Sequence, residues 1–186
     1  IEKSLKDSRV KIYDEGGDIL QKDILLKALK GADGVCHFAA LWLLQCHEYP
    51  ESAFETNIRG TFNVMEACRI NKIKKLVYSS SASVYGVKKQ KNVYEKAKVT
   101  PLTDYSKFKI KCEKILNRYS SKDFITTSLR PATLCGCSRR LRLDLAVNLL
   151  TNQAFHRKEM TILGGDQLRP NLHIKDMIRA YECIIH

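Results

Sequence analysis

The feature that most constrains the fold is a regular alternation of short apolar runs with longer amphipathic segments. An apolar run at residues 34–38 suits a buried parallel strand, and residues 75–79 and the β-rich segment 124–129 are predicted to be the next strands. Helical patterns at residues 53–71 and 105–119 lie between them. Because parallel strands must be joined by crossover segments, this order predicts an α/β protein with a doubly wound parallel sheet.

Further segments continue the alternation on both sides. A strand at residues 10–13 and a helix at 23–30 come first, and a helix at 144–155, a strand at 160–163 and a helix at 176–185 come last. In such sheets, ligands bind beyond the carboxyl ends of the strands. Functional residues are therefore expected directly after the three central strands.

Charge and cysteine content bound the function classes. Lys and Arg number 32 and Asp and Glu number 20, so the net charge is 32 − 20 = +12. The lysines are spread over many segments, which indicates a solvated surface and no nucleic acid partner. An odd set of 7 scattered cysteines indicates reduced thiols in a cytoplasmic protein, without a metal site. No apolar run reaches the roughly 18 residues of a membrane helix, so no membrane partner is expected.

A tyrosine, a lysine and a serine suggest a reaction by their chemistry. Tyr105 and Lys109 are spaced so that they share one face of a helix. An ammonium near a phenol favours the phenolate and lowers the phenol's pKa. Ser81, which follows a strand, supplies a hydroxyl that can hydrogen-bond the same substrate oxygen. Together the three groups suit proton transfer during oxidation of an alcohol.

The context of these residues resembles one family. Residues 79–86, Ser-Ser-Ser-Ala-Ser-Val-Tyr-Gly, resemble the serine segment of UDP-glucose 4-epimerases, which are extended short-chain dehydrogenase/reductases of the NAD-dependent epimerase/dehydratase family. Other segments resemble the family's motifs in the family's order, namely residues 18–19, 33–40, 57–63, 129–131 and 169–176. The resemblance implies a Rossmann-like NAD(P)-binding domain at about residues 1–135. Residues 136–186 would contribute the start of a small C-terminal substrate lobe and the last Rossmann elements.

The resemblance also implies roles for single residues. Tyr105 would be the general acid/base, Lys109 would lower its pKa and hold the nicotinamide ribose, and Ser81 would align the reacting hydroxyl, with Ser80 as the alternative. Arg169 would pair with the diphosphate of a nucleotide-sugar substrate. Ala82 and Ser83 would also contact the substrate. The implied cofactor is NAD, with NADP left open. Its other implied contacts are Asp18, Ile19, Phe38, Ala39, Ala40, Asn57, Ser79, Ser80 and Pro131.

The two residues after Ser81 discriminate within the family. Nucleotide-sugar 4,6-dehydratases carry an acidic pair or a Ser/Glu pair there, whereas this chain has Ala82 and Ser83. The resemblance therefore favours a nucleoside-diphosphate-sugar epimerase, an isomerase in polysaccharide biosynthesis that uses NAD as a catalyst. A nucleotide-sugar reductase or dehydrogenase, and a non-catalytic Rossmann-like binding protein, remain as alternatives.

The family's opening Gly-x-x-Gly-x-x-Gly turn is not found in the sequence. That turn cradles the cofactor pyrophosphate at a helix N-terminus. We interpret the chain as a fragment truncated at its N-terminus, and we expect it to bind NAD weakly or not at all by itself. By the same resemblance, the helices at residues 53–71 and 105–119 are expected to form a homodimer interface.

Overall fold

The computed structural model of the chain describes residue 10, residues 17–90 and residues 92–186. The strand predicted at residues 10–13 lies outside these residues apart from Val10. The chain divides into two compact units, with the boundary between Arg130 and Pro131. No helix in the described ranges is both long and apolar enough to cross a bilayer.

The first unit is built on a three-stranded parallel sheet. Its strands are β1 (Gly34–His37), β2 (Lys75–Ser79) and β3 (Ile125–Leu129), paired in the order β1-β2-β3. Cys36 lies opposite Val77, and Val77 lies opposite Thr127, so the carboxyl ends of all three strands share one edge. The three central strands predicted from the sequence are confirmed, with ends shifted by at most one residue.

Helices precede β1 and fill the connections between the strands. They are α1 (Lys22–Ala28), α2 (Leu43–Glu48), α3 (Pro50–Phe54), α4 (Thr61–Ile70) and α5 (Asp104–Tyr119). Thr103 begins α5, because its hydroxyl accepts a hydrogen bond from the backbone N–H of Ser106 at 3.3 Å. The predicted helices at residues 23–30 and 105–119 are confirmed, and α2 was not predicted.

The prediction of one regular helix at residues 53–71 is wrong in its middle. Glu55–Gly60 form a π-helical segment between α3 and α4. Such a segment leaves a backbone carbonyl without its usual helical partner. The Asn57 carbonyl instead accepts a hydrogen bond from the Cys112 thiol of α5 at 3.1 Å. A tertiary contact therefore shapes this segment, which a local periodicity does not reveal.

One apolar core packs α1, α4 and α5 against a single face of the sheet. Leu76 and Tyr78 point to this face of β2 because they are two residues apart, and both are at most 2% exposed. The core is completed by the buried residues Leu25, Val64, Met65, Ala67, Cys68, Ile73, Cys112, Leu116 and Phe124. Because interiors are densely packed, this core fixes where α5 lies against β2.

The second unit pairs two short parallel strands. These are β4 (Thr133–Cys135) and β5 (Asn171–His173), and the unit's helices are α6 (Ala146–Arg157) and α7 (Ile174–Ile185). Both helices confirm predictions, whereas the two strands were not predicted. The strand predicted at residues 160–163 is wrong: Met160, Ile162 and Leu163 are 50%, 59% and 87% exposed and form no strand among the described residues. Apolar alternation alone does not make a strand when no partner backbone is available.

Candidate functional site

A buried lysine on α5 reaches the carboxyl end of β2. Lys109 is 4% exposed, and its Nζ donates to the carbonyl oxygen of Ser79, the last residue of β2, at 2.6 Å. The same Nζ lies 4.7 Å from the ring centroid of Tyr78 and 5.4 Å from that of Tyr105. The ammonium therefore stands between the strand end and the tyrosine one helical turn earlier on α5.

Burial makes this ammonium easier to deprotonate than an ordinary lysine. Desolvation lowers the pKa of Lys109 from 10.5 to about 8, although nearby Cys112, Cys46 and Glu113 act in the opposite direction. Because this pKa is above 7, the group still carries its charge at neutral pH. A charged ammonium is the state that favours a phenolate beside it.

Ser81 and Tyr105 lie at the same strand end. Ser81 is two residues beyond β2 and begins a 3₁₀ turn at Ala82–Tyr85, with its hydroxyl accepting from the backbone N–H of Ser83 at 3.2 Å. Ser81 and Tyr105 are both partly exposed, so solvent can reach them. Since Lys109 is bonded to Ser79, the fold gathers Ser81, Tyr105 and Lys109 at the carboxyl end of β2.

An ion pair that the sequence analysis missed is bonded to the residues around Ser81. Glu113, which is 5% exposed, accepts from the Ser80 hydroxyl and from Arg130, whose Nε and terminal nitrogen donate to the two carboxylate oxygens at 2.9 and 2.6 Å. Arg130 also donates to the Tyr85 hydroxyl at 2.9 Å, and these bonds raise the pKa of its guanidinium. A signal did exist in the sequence, because Glu113 is an acidic residue on the apolar face of α5, one turn after Lys109.

The turn after Ser81 is fixed at its other end by Gly86. Gly86 has a φ of +66°, and a Cβ there would lie 2.2 Å from the Thr100 carbonyl oxygen, so only glycine fits. Thr100 donates through its hydroxyl to the Tyr85 carbonyl at 2.6 Å and through its N–H to the Val84 carbonyl at 3.0 Å. The backbone that carries Ser81 is therefore anchored on both sides.

Asn57 holds the loop that follows β1. Its side-chain oxygen accepts from the backbone N–H of Leu41 at 2.7 Å, and its side-chain nitrogen donates to the Leu41 carbonyl at 3.0 Å. The same nitrogen contacts the Cys46 sulfur at 3.3 Å. Because Asn57 is only 3% exposed, this geometry supports a positioning role for it.

The residues that follow Asn57 hold two further segments. The Thr61 hydroxyl bonds Nε2 of His37, at the end of β1, at 2.9 Å. Asn63 donates to the Ile19 carbonyl at 3.1 Å, and a Cβ on Gly60 would lie 2.5 Å from the Ile19 side chain. One helical stretch thus holds both the segment before α1 and the end of β1, which are two of the predicted cofactor-binding segments.

The end of β1 changes from buried to exposed within one residue. His37 is 4% exposed, and desolvation, with a contribution from Lys109, lowers its pKa to about 4, so the imidazole is neutral at pH 7. Phe38 is 60% exposed and Ala39 is also exposed, while Ala40 is half-buried. An exposed aromatic ring followed by two small side chains presents a surface at the sheet's carboxyl edge.

These residues fit the chemistry of a dinucleotide. An ammonium has three N–H donors, and the hydrogen bonds described for Lys109 use one of them, on Ser79. The other two suit vicinal ribose hydroxyls. Ala39 and Ala40 leave room for backbone to approach a ligand, and Asp18 has an exposed side chain that accepts from the N–H of Leu20 at 2.9 Å.

The remaining predicted residues belong to the second unit. Pro131 is its first residue and follows the end of β3. Arg169 is exposed and precedes β5, with its carbonyl accepting from the side chain of Asn171 at 3.1 Å. Within the described ranges, no group of three or more His, Cys, Asp or Glu side chains is arranged to hold a metal ion.

Known sequences resemble the chain over most of its length. The family model described as the NAD dependent epimerase/dehydratase family matches residues 4–186. The chain is 32% identical over 167 residues to an uncharacterized UDP-glucose epimerase of Bacillus subtilis (strain 168), with 87% of this chain and 51% of that protein covered. It is 31% identical over 160 residues to a D-erythronate dehydrogenase of Haemophilus influenzae, with 81% and 50% covered. The chain therefore spans about half the length of the curated relatives it matches.

Solved structures resemble the fold. A UDP-glucuronic acid 4-epimerase of Bacillus cereus, in complex with UDP-glucuronic acid and NAD, has a TM-score of 0.84 at 32% identity, with 98% of this chain and 57% of that chain covered. A UDP-N-acetylglucosamine 4-epimerase of Methanobrevibacter ruminantium, in complex with UDP-N-acetylmuramic acid, has a TM-score of 0.79 at 26% identity, with 90% and 56% covered. This likeness confirms the predicted Rossmann-like, doubly wound class.

Proposed function

Since the chain belongs to the NAD dependent epimerase/dehydratase family, we propose that it carries the catalytic set of an NAD-dependent nucleoside-diphosphate-sugar epimerase. The observation that carries the proposal is the bond from Lys109 to the Ser79 carbonyl at 2.6 Å, which brings Tyr105 and Ser81 to one strand end. The relatives named as UDP-sugar epimerases support the substrate class. NAD is the proposed cofactor because one of those structures holds it.

In the proposed reaction, Tyr105 acts as a phenolate and takes the proton from a hydroxyl of the sugar. Ser81 donates a hydrogen bond to the same oxygen, which orients it toward the phenol. Lys109 favours the phenolate and binds ribose hydroxyls with its remaining N–H groups. When bound, NAD would supply the reversible acceptor for the hydride that leaves the sugar carbon. Tyr105 then returns the proton to the oxygen after the sugar has presented its other face.

Other segments are assigned cofactor and substrate contacts in this proposal. The exposed side chains of Phe38 and Ala39, at the end of β1, would line the cofactor, and Asp18 would contact its adenosine end. Arg169 would pair with the substrate diphosphate, for which a guanidinium is suited. In this proposal, residues up to about 135 form the NAD(P)-binding domain, and residues 136–186 contribute the start of a substrate lobe and the last Rossmann elements.

A turnover assay on the full-length protein tests the proposal. UDP-glucose, UDP-glucuronic acid and UDP-N-acetylglucosamine would each be incubated with enzyme, and the 4-epimers would be quantified by NMR. We expect Tyr105→Phe to lower kcat by at least about a hundredfold, because general acid/base catalysis contributes that much. Tyr49→Phe is the matched control, since Tyr49 is an exposed tyrosine outside the proposed site. Normal turnover of Tyr105→Phe would contradict the proposal.

A dehydrogenase is the second candidate function. The relative named D-erythronate dehydrogenase, at 31% identity, is the observation that favours it. A dehydrogenase releases one reduced cofactor for each substrate oxidised, whereas an epimerase regenerates its cofactor. Steady growth of absorbance at 340 nm with added NAD would favour the dehydrogenase. Epimer formation without that growth would favour the epimerase, and ligand binding without turnover would indicate a non-catalytic binding protein.

A homodimer is proposed through the face shared by α3, α4 and α5. Two aromatic pairs cross between these helices: Phe54 with Phe108 at 6.2 Å, and Phe62 with Tyr119 at 6.3 Å between ring centroids. Phe54 and Phe62 are nevertheless 45% and 39% exposed, so the pairs leave apolar surface that a second copy could cover. Sedimentation of Phe62→Glu should then show monomers. Leu163→Glu, which changes an 87% exposed residue elsewhere, should sediment like wild type.

A cytoplasmic location is proposed from the cysteines. All seven lie within the described residues and are free thiols, of which Cys46, Cys68 and Cys112 are buried. Burial raises the pKa of each of these three thiols, which keeps them protonated. Reduced thiols are usual in the cytoplasm, where disulfides seldom persist. Localising a tagged full-length protein would test this.

A further inference from the structure

The ion pair between Glu113 and Arg130 is bonded to residues on both sides of Ser81. Ser80, the residue before it, donates a hydrogen bond from its hydroxyl to the Glu113 carboxylate and is 2% exposed. Tyr85, which ends the turn after Ser81, accepts from Arg130 at 2.9 Å. The pair therefore holds a side chain on each side of the Ser81 hydroxyl.

The same pair also joins two strand ends to α5. Ser80 follows β2 and donates its backbone N–H to the carbonyl of Leu129, the last residue of β3, at 2.7 Å. Arg130 follows Leu129 directly, and Glu113 is one turn beyond Lys109 on α5. By contrast, the hydrogen bond described for the Ser81 hydroxyl is a local one to Ser83, at 3.2 Å. The position of that hydroxyl is thus set by its neighbours.

Stability alone does not explain a buried ion pair. The Arg130 side chain is 21% exposed and that of Glu113 is 6% exposed, so both groups lose water on folding. Apolar residues of similar volume are often equally or more stabilising at such places. A bidentate pair does provide directional bonds of defined geometry.

We propose that the Glu113–Arg130 pair is a positioning unit for Ser81, which it holds against Tyr105 and Lys109 through Ser80 and Tyr85. The proposal rests on the proposed function, because it assigns Ser81 to the reacting oxygen. It makes Glu113 and Arg130 positioning residues that act through another group. A shift of about 1 Å in a reacting group can lower turnover by about a hundredfold.

Two mild substitutions in the full-length enzyme test this without breaking the ion pair. Ser80→Ala removes the bond to Glu113, and Tyr85→Phe removes the bond to Arg130. We expect each to lower kcat by about tenfold or more, with KM for the sugar substrate within about twofold of wild type, because only positioning is lost. Ser52→Ala and Tyr49→Phe are the matched controls, at exposed residues of α3 and the turn before it. Unchanged kcat in both Ser80→Ala and Tyr85→Phe would overturn the inference.

A double-mutant cycle separates positioning of Ser81 from an independent effect. If the pair acts through Ser81, then neither substitution lowers kcat further in a Ser81→Ala background. Equal losses in the wild-type and Ser81→Ala backgrounds would overturn the inference and leave the proposed function standing. Normal turnover of Ser81→Ala alone would instead overturn the catalytic assignment, and the inference with it.

Discussion

Replacing the buried Lys109 by methionine should stabilise the first unit at neutral pH while it removes a group proposed for catalysis. Desolvation lowers the pKa of Lys109 from 10.5 to about 8, and a difference of about 2.5 between these values corresponds to about 3 kcal/mol. The charged form is therefore disfavoured in the folded chain by about that amount. Losing the hydrogen bond from this charged group to the Ser79 carbonyl offsets about 2 kcal/mol. The expected net gain at pH 7 is therefore about 1 kcal/mol.

The stabilisation by Lys109→Met should decrease as the pH rises, because the folded and unfolded chains bind the Lys109 proton with different pKa values. Unfolded Lys109 binds its proton below pH 10.5, whereas the folded group binds it only below about 8. Between these values the unfolded chain holds more protons, so wild-type stability rises with pH there. Lys109→Met lacks this rise. Its advantage over wild type should therefore shrink by about 3 kcal/mol as the pH increases from 7 to above 10.5.

Urea unfolding followed by circular dichroism from pH 7 to above 10.5 measures this difference. Lys107→Met is the matched control, because that side chain is on the same helix and is 53% exposed. The control measures the effect of removing an exposed lysine from the same helix. A Lys109→Met variant that is less stable than wild type at pH 7, or a difference that does not change with pH, would refute the desolvation argument.

Three further predictions concern the residues around α4. Gly60→Ala should lower the free energy of unfolding, because about 1–3 kcal/mol of overpacking against Ile19 exceeds a gain of about 1 kcal/mol in helix propensity. In an Ile19→Ala background, where the overpacking is relieved, urea unfolding should show that Gly60→Ala stabilises the chain. The pKa of His37 is lowered to about 4 in the folded chain, so the unfolded imidazole takes up its proton first as the pH falls. Lowering the pH from 6.5 to 4 should therefore reduce the free energy of unfolding by up to about 3 kcal/mol. His37→Gln should lose that part of the acid sensitivity, as measured by unfolding at the two pH values. Asn57→Leu should cost about 2–4 kcal/mol by leaving buried polar groups unpaired, and hydrogen exchange of the Leu41 amide should accelerate.

The parts of the fold that the sequence predicted are those that local patterns determine. β1 and β2 contain short apolar runs, β3 is rich in β-branched residues, and α5 has an apolar face together with Thr103 at its start. Strand pairing and helix packing then follow from general rules of α/β topology. Local pattern failed for the π-helical segment at Glu55–Gly60, because a bond from Cys112 to Asn57 sets its geometry. It also failed for β4 and β5, which have three residues each.

The candidate site was predictable to a similar extent. The spacing of Tyr105 and Lys109 places both on one face of α5, and the bond to Ser79 then brings that face to the strand end. Bonds across long sequence separations were not predictable. Glu113 and Arg130 are 17 residues apart; an acidic residue on the apolar face of α5 indicates that Glu113 needs a partner, but it does not identify Arg130. Their contact forms because α5 packs against β3 in the folded chain.

Transfer of a deuterium label is the most direct test of the central claim, that Ser81, Tyr105 and Lys109 form one proton-transfer site beside a bound nicotinamide. A UDP-sugar deuterated at the carbon to be inverted would be incubated with the full-length enzyme and NAD, and its product analysed by mass spectrometry and NMR. The account predicts an epimer that retains the deuterium at the inverted carbon, and formation of that epimer at least about a hundredfold more slowly with Tyr105→Phe. Deuterium released into free reduced cofactor, or an equal yield of epimer from Tyr105→Phe, would contradict it.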